Sequence, residues 1–160
     1  MDREYNPEAV QQAINIVGLP PNVDIRPWNE DDFPAIQRLS RAEGWSTPID
    51  RPTDAVRGWY GSWPALVAVV DGSVVGFVRA VSDCAVTTYI AELLVIPEWQ
   101  GYRLGVALLA VTQYLCPGTR LDLLATDQSR TFYDRVGFRP FSGYRRSWAE
   151  FEALCSHLSG

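Results

Sequence analysis

The sequence predicts a mixed α/β (α+β) fold in which a central, mostly antiparallel sheet is flanked by helices. Runs rich in β-branched residues alternate with runs of helical periodicity along the chain. Asp71-Gly72 separates two β-rich runs and is a typical two-residue hairpin turn, which joins antiparallel strands. The long β-rich run Thr87–Ile96 leads through a glycine-containing turn into the helical run Leu104–Leu115.

The first predicted element is a helix over Pro7–Val17. Its apolar residues recur at helical spacing and Asn6 is a suitable N-cap. The segment GLPP, which begins at Gly18, ends the helix. We expect residues 1–22 to form an N-terminal helical extension that packs on a domain of residues 23–160.

Turn residues divide the rest of the chain into short strands and helices. Proline and glycine mark most boundaries, and three acidic residues at the start of the second helix match the helix dipole. The predicted strands are Val23–Trp28, Ala65–Val70, Ser73–Ser82, Thr87–Ile96 and Arg120–Ala125, with a final hairpin of Phe138–Phe141 and Tyr144–Trp148. The later helices are one that begins after Asn29, then Asp54–Tyr60, Leu104–Leu115, Ser129–Arg135 and Ala149–Leu158.

Composition and charge narrow the class of function. The chain has 160 residues, of which 47% are hydrophobic and 21% charged, as in ordinary globular domains. The net charge is −5 and all 14 basic residues are arginine, which argues against a nucleic-acid partner. No apolar run reaches the length of a membrane span and the start does not resemble a signal peptide. We therefore expect a cytoplasmic protein without a membrane partner.

The cysteines and the histidine predict neither disulfides nor a metal site. Cys84, Cys116 and Cys155 are odd in number and widely spaced, which is typical of reduced thiols in a cytosolic protein. His157 stands alone near the C-terminus. We expect no metal cofactor.

The turn that follows the strand Thr87–Ile96 is the most informative segment. It reads PEWQGYRLG over residues 97–105, and a helix begins within it. Glycine allows close approach of the backbone, and the free N–H groups of a helix start attract anions. A pyrophosphate would fit there, although ordinary strand–helix turns also use glycine.

Two motifs together make the pattern specific. Residues 93–105 contain L-x-V-x-P-x-x-Q-G-x-x-x-G, which resembles the pyrophosphate-binding motif of the GNAT superfamily of N-acetyltransferases. Residues 132–138, FYDRVGF, resemble the F-Y-x-x-x-G-F signature of the same superfamily. The resemblance covers Val23 to Trp148. The stretches RAVSD, at residues 79–83, and AELLV, at residues 91–95, resemble those of a subgroup that includes plant serotonin N-acetyltransferase-like proteins and bacterial relatives.

The resemblance implies acetyl-CoA as cosubstrate. Pantetheine would pair with backbone groups of Leu93 and Val95 like an added strand, and the Val95 N–H would polarise the thioester carbonyl. Arg103 departs from the family pattern, because glycine is common there, and Asp127 lies beside a position where asparagine is frequent. The residues implied in cofactor binding are Leu93, Leu94, Val95, Gln100, Gly101, Tyr102, Arg103, Leu104, Gly105, Val106 and Asp127.

The resemblance also implies direct transfer of the acetyl group to an amine. A base must remove a proton from the ammonium, and Glu92 is the candidate, acting through water. The alternative for Glu92 is a carboxylate that is only solvated or paired with an arginine, while Asp83 and Asp127 are weaker candidates. Tyr133, a neutral phenol at pH 7, is the candidate acid for the leaving thiolate, against the alternative of a core tyrosine.

The acceptor is predicted only as a class. The region after the first strand carries Trp45, Trp59, Tyr60 and Trp63, which either line an acceptor pocket or pack in the core. We expect a small-molecule amine, such as an arylalkylamine or a polyamine. The alternatives are N-terminal acetylation of peptides or proteins and a non-catalytic CoA-binding module. Homodimers are common in this family.

Overall fold

The computed structural model of the protein describes residues 4–158, which form two compact units, residues 4–123 and residues 124–158. The first unit contains one five-stranded sheet with strand order β1-β2-β3-β4-β5. The strands are β1 (Val23–Pro27), β2 (Ala65–Val70), β3 (Ser73–Ser82), β4 (Thr87–Val95) and β5 (Arg120–Leu123). The first four strands pair antiparallel and β4 pairs with β5 in parallel, so the predicted mixed, mostly antiparallel sheet is confirmed.

The helices of the first unit flank this sheet. They are α1 (Pro7–Val17), α2 (Phe33–Ala42), α3 (Thr47–Asp50), α4 (Pro52–Tyr60) and α5 (Leu104–Leu115), with single 3₁₀ turns at Glu30–Asp32 and Pro97–Trp99. The sequence predicts only one helix between Trp45 and Trp63, whereas the structure has both α3 and α4. Each of them has a proline in its first turn, where the fixed proline φ favours a helix start. None of the described helices is both long and apolar enough to span a membrane.

Helix α1 has the predicted bounds. The Asn6 carboxamide oxygen accepts hydrogen bonds from the N–H groups of Glu8 and Ala9, and Gly18 ends the helix in the left-handed conformation. The buried face of α1 packs on α5. Residues 1–3 of the predicted extension and residues 159–160 of the predicted domain lie outside the described residues, and the division at residue 22 stays a prediction.

One face of the sheet packs on α2 and α4. Phe77 of β3 and Leu94 of β4 are cross-strand partners on this face, and both are buried against Ile36 of α2 and Trp59 of α4. Side chains two positions apart on a strand share a face. The residues two positions from this pair, Arg79 and Glu92, therefore lie on the same face as Phe77 and Leu94.

The pairing of β3 with β4 contains a β-bulge. Arg79 pairs with Glu92, but the next residue of β3, Ala80, pairs with Ile90, so Ala91 is the extra residue. A bulge interrupts the alternation of faces along its own strand. Ile90 and Glu92, which a regular strand would place on one face, are thereby turned to opposite faces.

The second unit contains α6 (Arg130–Arg135) and α7 (Trp148–Leu158). The predicted hairpin of Phe138–Phe141 and Tyr144–Trp148 is wrong, because no strand is present among the described residues of this unit. Pro140 cannot donate a ladder hydrogen bond. The Ser147 N–H donates to the Glu150 carboxylate at 2.5 Å and the Glu150 N–H donates to Ser147 Oγ at 3.3 Å, and this capping box starts α7 inside the predicted second strand.

Gly76 provides the first test, because it sets the distance between β3 and β4. A Cβ atom at this position would lie 2.8 Å from the Leu94 carbonyl oxygen and 3.3 Å from Val95 Cγ2. We expect Gly76→Ala to force the two backbones apart and to lower the free energy of unfolding by about 2 kcal/mol, a fall in Tm of roughly 4–8 °C. Thermal unfolding measures this, with Ser73→Ala, exposed on the same strand, as the control. An unchanged Tm would contradict the close approach.

Candidate active site

The turn between β4 and α5 presents backbone N–H groups. Gly101 (φ 87°) and Arg103 (φ 64°) adopt the left-handed conformation, and α5 begins at Leu104. Within the described residues, no side chain caps the start of α5 and no acidic residue lies in its first turn. The N–H groups of Leu104, Gly105 and Val106 have no intrahelical partner, and the positive end of the helix dipole faces the same way. This donor set fits a pyrophosphate.

The edge of β4 beside this turn is open on one side. The Ile96 N–H donates to the Val75 carbonyl at 3.0 Å, and N–H groups alternate in direction along a strand. The N–H groups of Val95 and Leu93 therefore point away from β3. In residues 4–123, β5 pairs with β4 only over Thr87–Ile90, which leaves Leu93–Val95 with a ladder on one side. An extended chain can pair with such an edge.

Gln100 closes the turn onto this edge. Its side-chain amide donates to the Val95 carbonyl at 2.9 Å. The Leu94 side chain is buried in the core. Tyr102 is exposed and lies 5.4 Å, ring to ring, from Trp99. Of the predicted cofactor residues in this region, Leu93 and Val95 can thus offer backbone N–H groups at the open edge. The backbone of Leu94 faces β3 and its side chain lies in the core, while Gln100 stabilises the turn.

Arg103 ties the turn to α1. Its Nη1 donates to the carbonyl of Val17, the last residue of α1, at 3.3 Å. An open cleft of about 350 Å³ lies beside this contact. Its lining residues are Gly18, Leu19, Pro20, Gly101, Tyr102 and Arg103. The side chain that departs from the family pattern is therefore used to join α1 to the turn.

Glu92 is paired with Arg79 across the strands. Arg79 Nη2 donates to Glu92 Oε1 at 3.0 Å, and the two side chains are about one-fifth exposed (20% and 21%). Arg79 Nη1 donates to Ser62 Oγ at 3.1 Å, and Ser62 Oγ donates to the Gly58 carbonyl at 2.6 Å. Glu92 Oε2 is buried and has no hydrogen-bond partner among the described residues. The carboxylate therefore has one bonded oxygen and one oxygen that needs a donor.

The sequence does not indicate the pairing of Glu92 with Arg79. A count along a regular hairpin would put Ala91 opposite Arg79, and the bulge puts Glu92 there instead. Nothing in the local sequence marks Ala91 as the extra residue. Ser62, which lies outside the sheet, could be found only from the fold.

The two weaker candidate bases have other surroundings. Asp83 Oδ1 accepts hydrogen bonds from three backbone N–H groups, at 2.8 Å from Val86 and at 2.9 Å from Thr87 and from Ala85, and these bonds lower the pKa of Asp83 below its ordinary value. Its carboxylate builds the turn between β3 and β4. Asp127 belongs to the second unit, where its carboxylate is fully exposed and lies 3.7 Å from Arg130.

Tyr133 belongs to α6 in the second unit. Its ring makes edge contacts with Phe132 at 5.1 Å and with Phe138 at 5.4 Å, centroid to centroid. Burial raises the pKa of the Tyr133 phenol above its ordinary value of 10.0. The phenol therefore stays protonated throughout the neutral range.

The aromatic residues near the site differ in exposure. Trp59 is fully buried and packs on Trp28 and Phe77, so it belongs to the core. Trp45 is half-buried and lies edge-on to Phe77. Tyr60 is exposed, and its hydroxyl donates to Glu30 at 2.6 Å. Over residues 4–158, no three His, Cys, Asp or Glu side chains form a group that could hold a metal ion.

The sequence and the fold are similar to those of known acetyltransferases. Residues 62–140 match the family model of the acetyltransferase (GNAT) domain. The structure superposes on a GNAT-family protein from Xanthomonas campestris with a TM-score of 0.66 and 27% identity, over 83% of this chain and 97% of the other. No curated protein matches the chain.

Two further structures share the fold. A protein from Deinococcus radiodurans, described as an acetyltransferase, superposes with a TM-score of 0.64 and 25% identity, over 83% of this chain and 93% of the other. AAC(6′)-Iy superposes with a TM-score of 0.59 and 18% identity, over 78% and 98%. The proposed subgroup within the family stays a prediction.

Gly105→Glu tests the turn as a pyrophosphate site. The new carboxylate would stand in the first turn of α5, where it repels an anion but agrees with the helix dipole. We expect CoA to bind at least about 100-fold more weakly, since charge-assisted hydrogen bonds are lost, while the Tm stays the same or rises. Calorimetry with CoA and thermal unfolding measure the two effects. Ser73→Glu adds the same charge on the exposed β2–β3 hairpin and should not change CoA binding; retained binding in Gly105→Glu would contradict the site.

Proposed function

Because the chain belongs to the GNAT superfamily of acetyltransferases, we propose that it transfers the acetyl group of acetyl-CoA directly to the primary amine of a small molecule. The observation that carries this proposal is the state of Glu92. Its carboxylate lies on β4 next to the open edge Leu93–Val95, and Oε2 is buried without a hydrogen-bond donor among the described residues. A base is required at this place, because an amine reacts only after its ammonium has lost a proton.

The proposed roles of the residues follow from the chemistry of acyl transfer. Acetyl-CoA, when bound, supplies an acyl group activated as a thioester. The Val95 N–H, which points away from β3, donates to the carbonyl oxygen as negative charge develops on it. Glu92 accepts the proton of the ammonium through a water molecule. Tyr133 donates its phenolic proton to the leaving thiolate, a role supported by its motif. Burial raises the pKa of this phenol, which keeps it protonated at neutral pH.

In the same proposal, backbone groups bind acetyl-CoA. The N–H groups of Leu104, Gly105 and Val106 would hold the pyrophosphate, and Leu93 and Val95 would pair with pantetheine. Asp127 is kept as a proposed contact on the family resemblance alone. We also propose a cytoplasmic location, which rests on the cysteine content of the sequence.

A small-molecule acceptor is favoured over a peptide by the surroundings of Glu92. The carboxylate is only one-fifth exposed and shares its face of the sheet with apolar side chains, which suits a compact amine. The same fold in AAC(6′)-Iy holds the bisubstrate analogue CoA-S-monomethyl-acetylneamine. N-terminal acetylation of peptides and CoA binding without catalysis are the outcomes that would replace this proposal.

An amine panel tests the proposed function. The full chain is mixed with acetyl-CoA and, separately, with arylalkylamines, polyamines and short peptides, and thiol release is followed together with the mass of the acetylated product. A reaction without amine corrects for the three cysteines of the protein. We expect turnover with at least one small amine. Turnover with peptides alone would favour the peptide alternative, and CoA binding without thiol release from any amine would overturn the enzyme assignment.

Tyr133→Phe tests the proposed acid. Loss of the hydroxyl removes the proton donor but keeps the ring contacts, so we expect kcat to fall by about 10²-fold, with the Kd of acetyl-CoA unchanged. Since burial raises the pKa of Tyr133, any loss of rate caused by its ionisation should appear only above pH 10. Steady-state kinetics against pH and calorimetry measure both. Tyr144→Phe, at an exposed tyrosine of the same unit, is the control; an unchanged kcat in Tyr133→Phe would remove this role.

A further inference from the structure

We propose that Arg79 is a positioning residue for Glu92, which holds one carboxylate oxygen so that the other is directed to the ammonium group of the acceptor. The inference rests on the proposed function, since it assigns a role in the same reaction. It adds two residues, Arg79 and Ser62, to those that the family motifs indicate. Its basis is the pattern of bonded and unbonded atoms around a single carboxylate.

The pair is placed by the backbone. Arg79 of β3 and Glu92 of β4 are cross-strand partners, and they form the last pair before the bulge at Ala91 shifts the register. Their Nη2 and Oε1 atoms lie 3.0 Å apart, and both side chains are about four-fifths buried. Water competes less for the hydrogen bond of a mostly buried ion pair than for that of a surface pair. The geometry of the buried pair is therefore better defined.

The guanidinium is held at its other end as well. Arg79 Nη1 donates to Ser62 Oγ at 3.1 Å, and the hydroxyl of Ser62 donates to the carbonyl of Gly58 in α4 at 2.6 Å. Ser62 is buried. The chain of bonds from Gly58 through Ser62 to Arg79 fixes the orientation of the guanidinium plane. An arginine bound at both ends cannot turn to follow a ligand, and it fixes the carboxylate that it binds.

The remaining oxygen of Glu92 is poised for a donor. Oε2 exposes less than 1 Å² and has no hydrogen-bond partner among residues 4–158. A buried oxygen without a donor is unfavourable, so an N–H or O–H group that reaches it gains more than it would at a solvated carboxylate. The matching ligand is a primary ammonium, which acts through one water molecule once the side chains that cover Oε2 move aside. Because Arg79 occupies Oε1, the ammonium is received at one oxygen and from one direction.

This role differs from that of an ion pair that only stabilises the fold. A stabilising pair would lower the Tm when broken and would affect every ligand through the fraction of folded protein. A positioning residue lowers the efficiency with the amine while the affinity for acetyl-CoA stays the same. It also acts only through its partner, so its effect should disappear when that partner has lost its charge.

A double-mutant cycle tests the inference. Arg79→Gln, Glu92→Gln and the double variant are compared with the wild type for kcat and KM of the best amine, Kd of acetyl-CoA, and Tm. We expect Arg79→Gln to lower kcat/KM for the amine about 30-fold and to leave the acetyl-CoA Kd within about twofold. In the Glu92→Gln background the same substitution should change kcat/KM by less than about threefold.

Two further variants keep the test decisive if Arg79→Gln fails to fold. Arg79→Lys keeps the charge but cannot span Ser62 and Glu92, and should lose part of the efficiency. Ser62→Ala frees one end of the guanidinium and should give a smaller loss in the same direction, again only when Glu92 is present. Arg57→Gln, on the exposed side of α4, removes an arginine that pairs with Asp54 and is the control.

Equal losses with and without Glu92, or a loss of acetyl-CoA affinity equal to the loss of amine efficiency, would overturn the inference and leave the proposed function intact. The same holds if Arg79→Lys and Ser62→Ala both match the wild type. Failure of the proposed function has a different signature, since the wild type itself would then release no thiol with any amine.

Discussion

The pairing of β3 with β4 is the constraint on which the rest of the site depends. Gly76 allows the two backbones to approach, since any side chain there would meet the Leu94 carbonyl at 2.8 Å. From this pairing, the N–H direction at Val95 follows by alternation, because the Ile96 N–H is committed to Val75. The open edge of β4 lies next to the start of α5, because only the turn of residues 96–103 separates them.

The bulge at Ala91 then decides which side chains share the face of the carboxylate. Glu92 lies on the face of Phe77 and Leu94, opposite Arg79, because it is two positions from Leu94 in the regular part of β4. The extra residue turns Ile90, which a regular strand would place on this face, to the opposite one. Adjacent residues of β4 therefore present different groups, the Glu92 carboxylate on one face and the N–H groups of Leu93 and Val95 at the edge.

Local signals in the sequence predict the bounds of helices and strands better than they predict the register in which the strands pair. The turn Asp71-Gly72 and the stop signals around α1 and α5 predict where these elements begin and end, and the structure has the same bounds. These signals succeed because turns and helix caps depend on a few adjacent residues. The register beyond Arg79 cannot be predicted from local sequence, because it depends on how β3 and β4 pack against the helices. The final hairpin was wrong because the capping box of Ser147 competes with strand pairing, and that box was also readable from the sequence.

The three carboxylates that are candidate bases differ in their surroundings. Asp83 accepts hydrogen bonds from three backbone N–H groups, and these bonds lower its pKa. The lowered pKa makes Asp83 a poor proton acceptor at neutral pH. Asp127 is fully exposed, so water satisfies it and nothing fixes its direction. Glu92 alone of the three combines burial, a fixed partner and an oxygen without a donor in the described residues. A base needs both free acceptor capacity and a fixed direction, and this combination is what a pairing with Arg79 at a single oxygen provides.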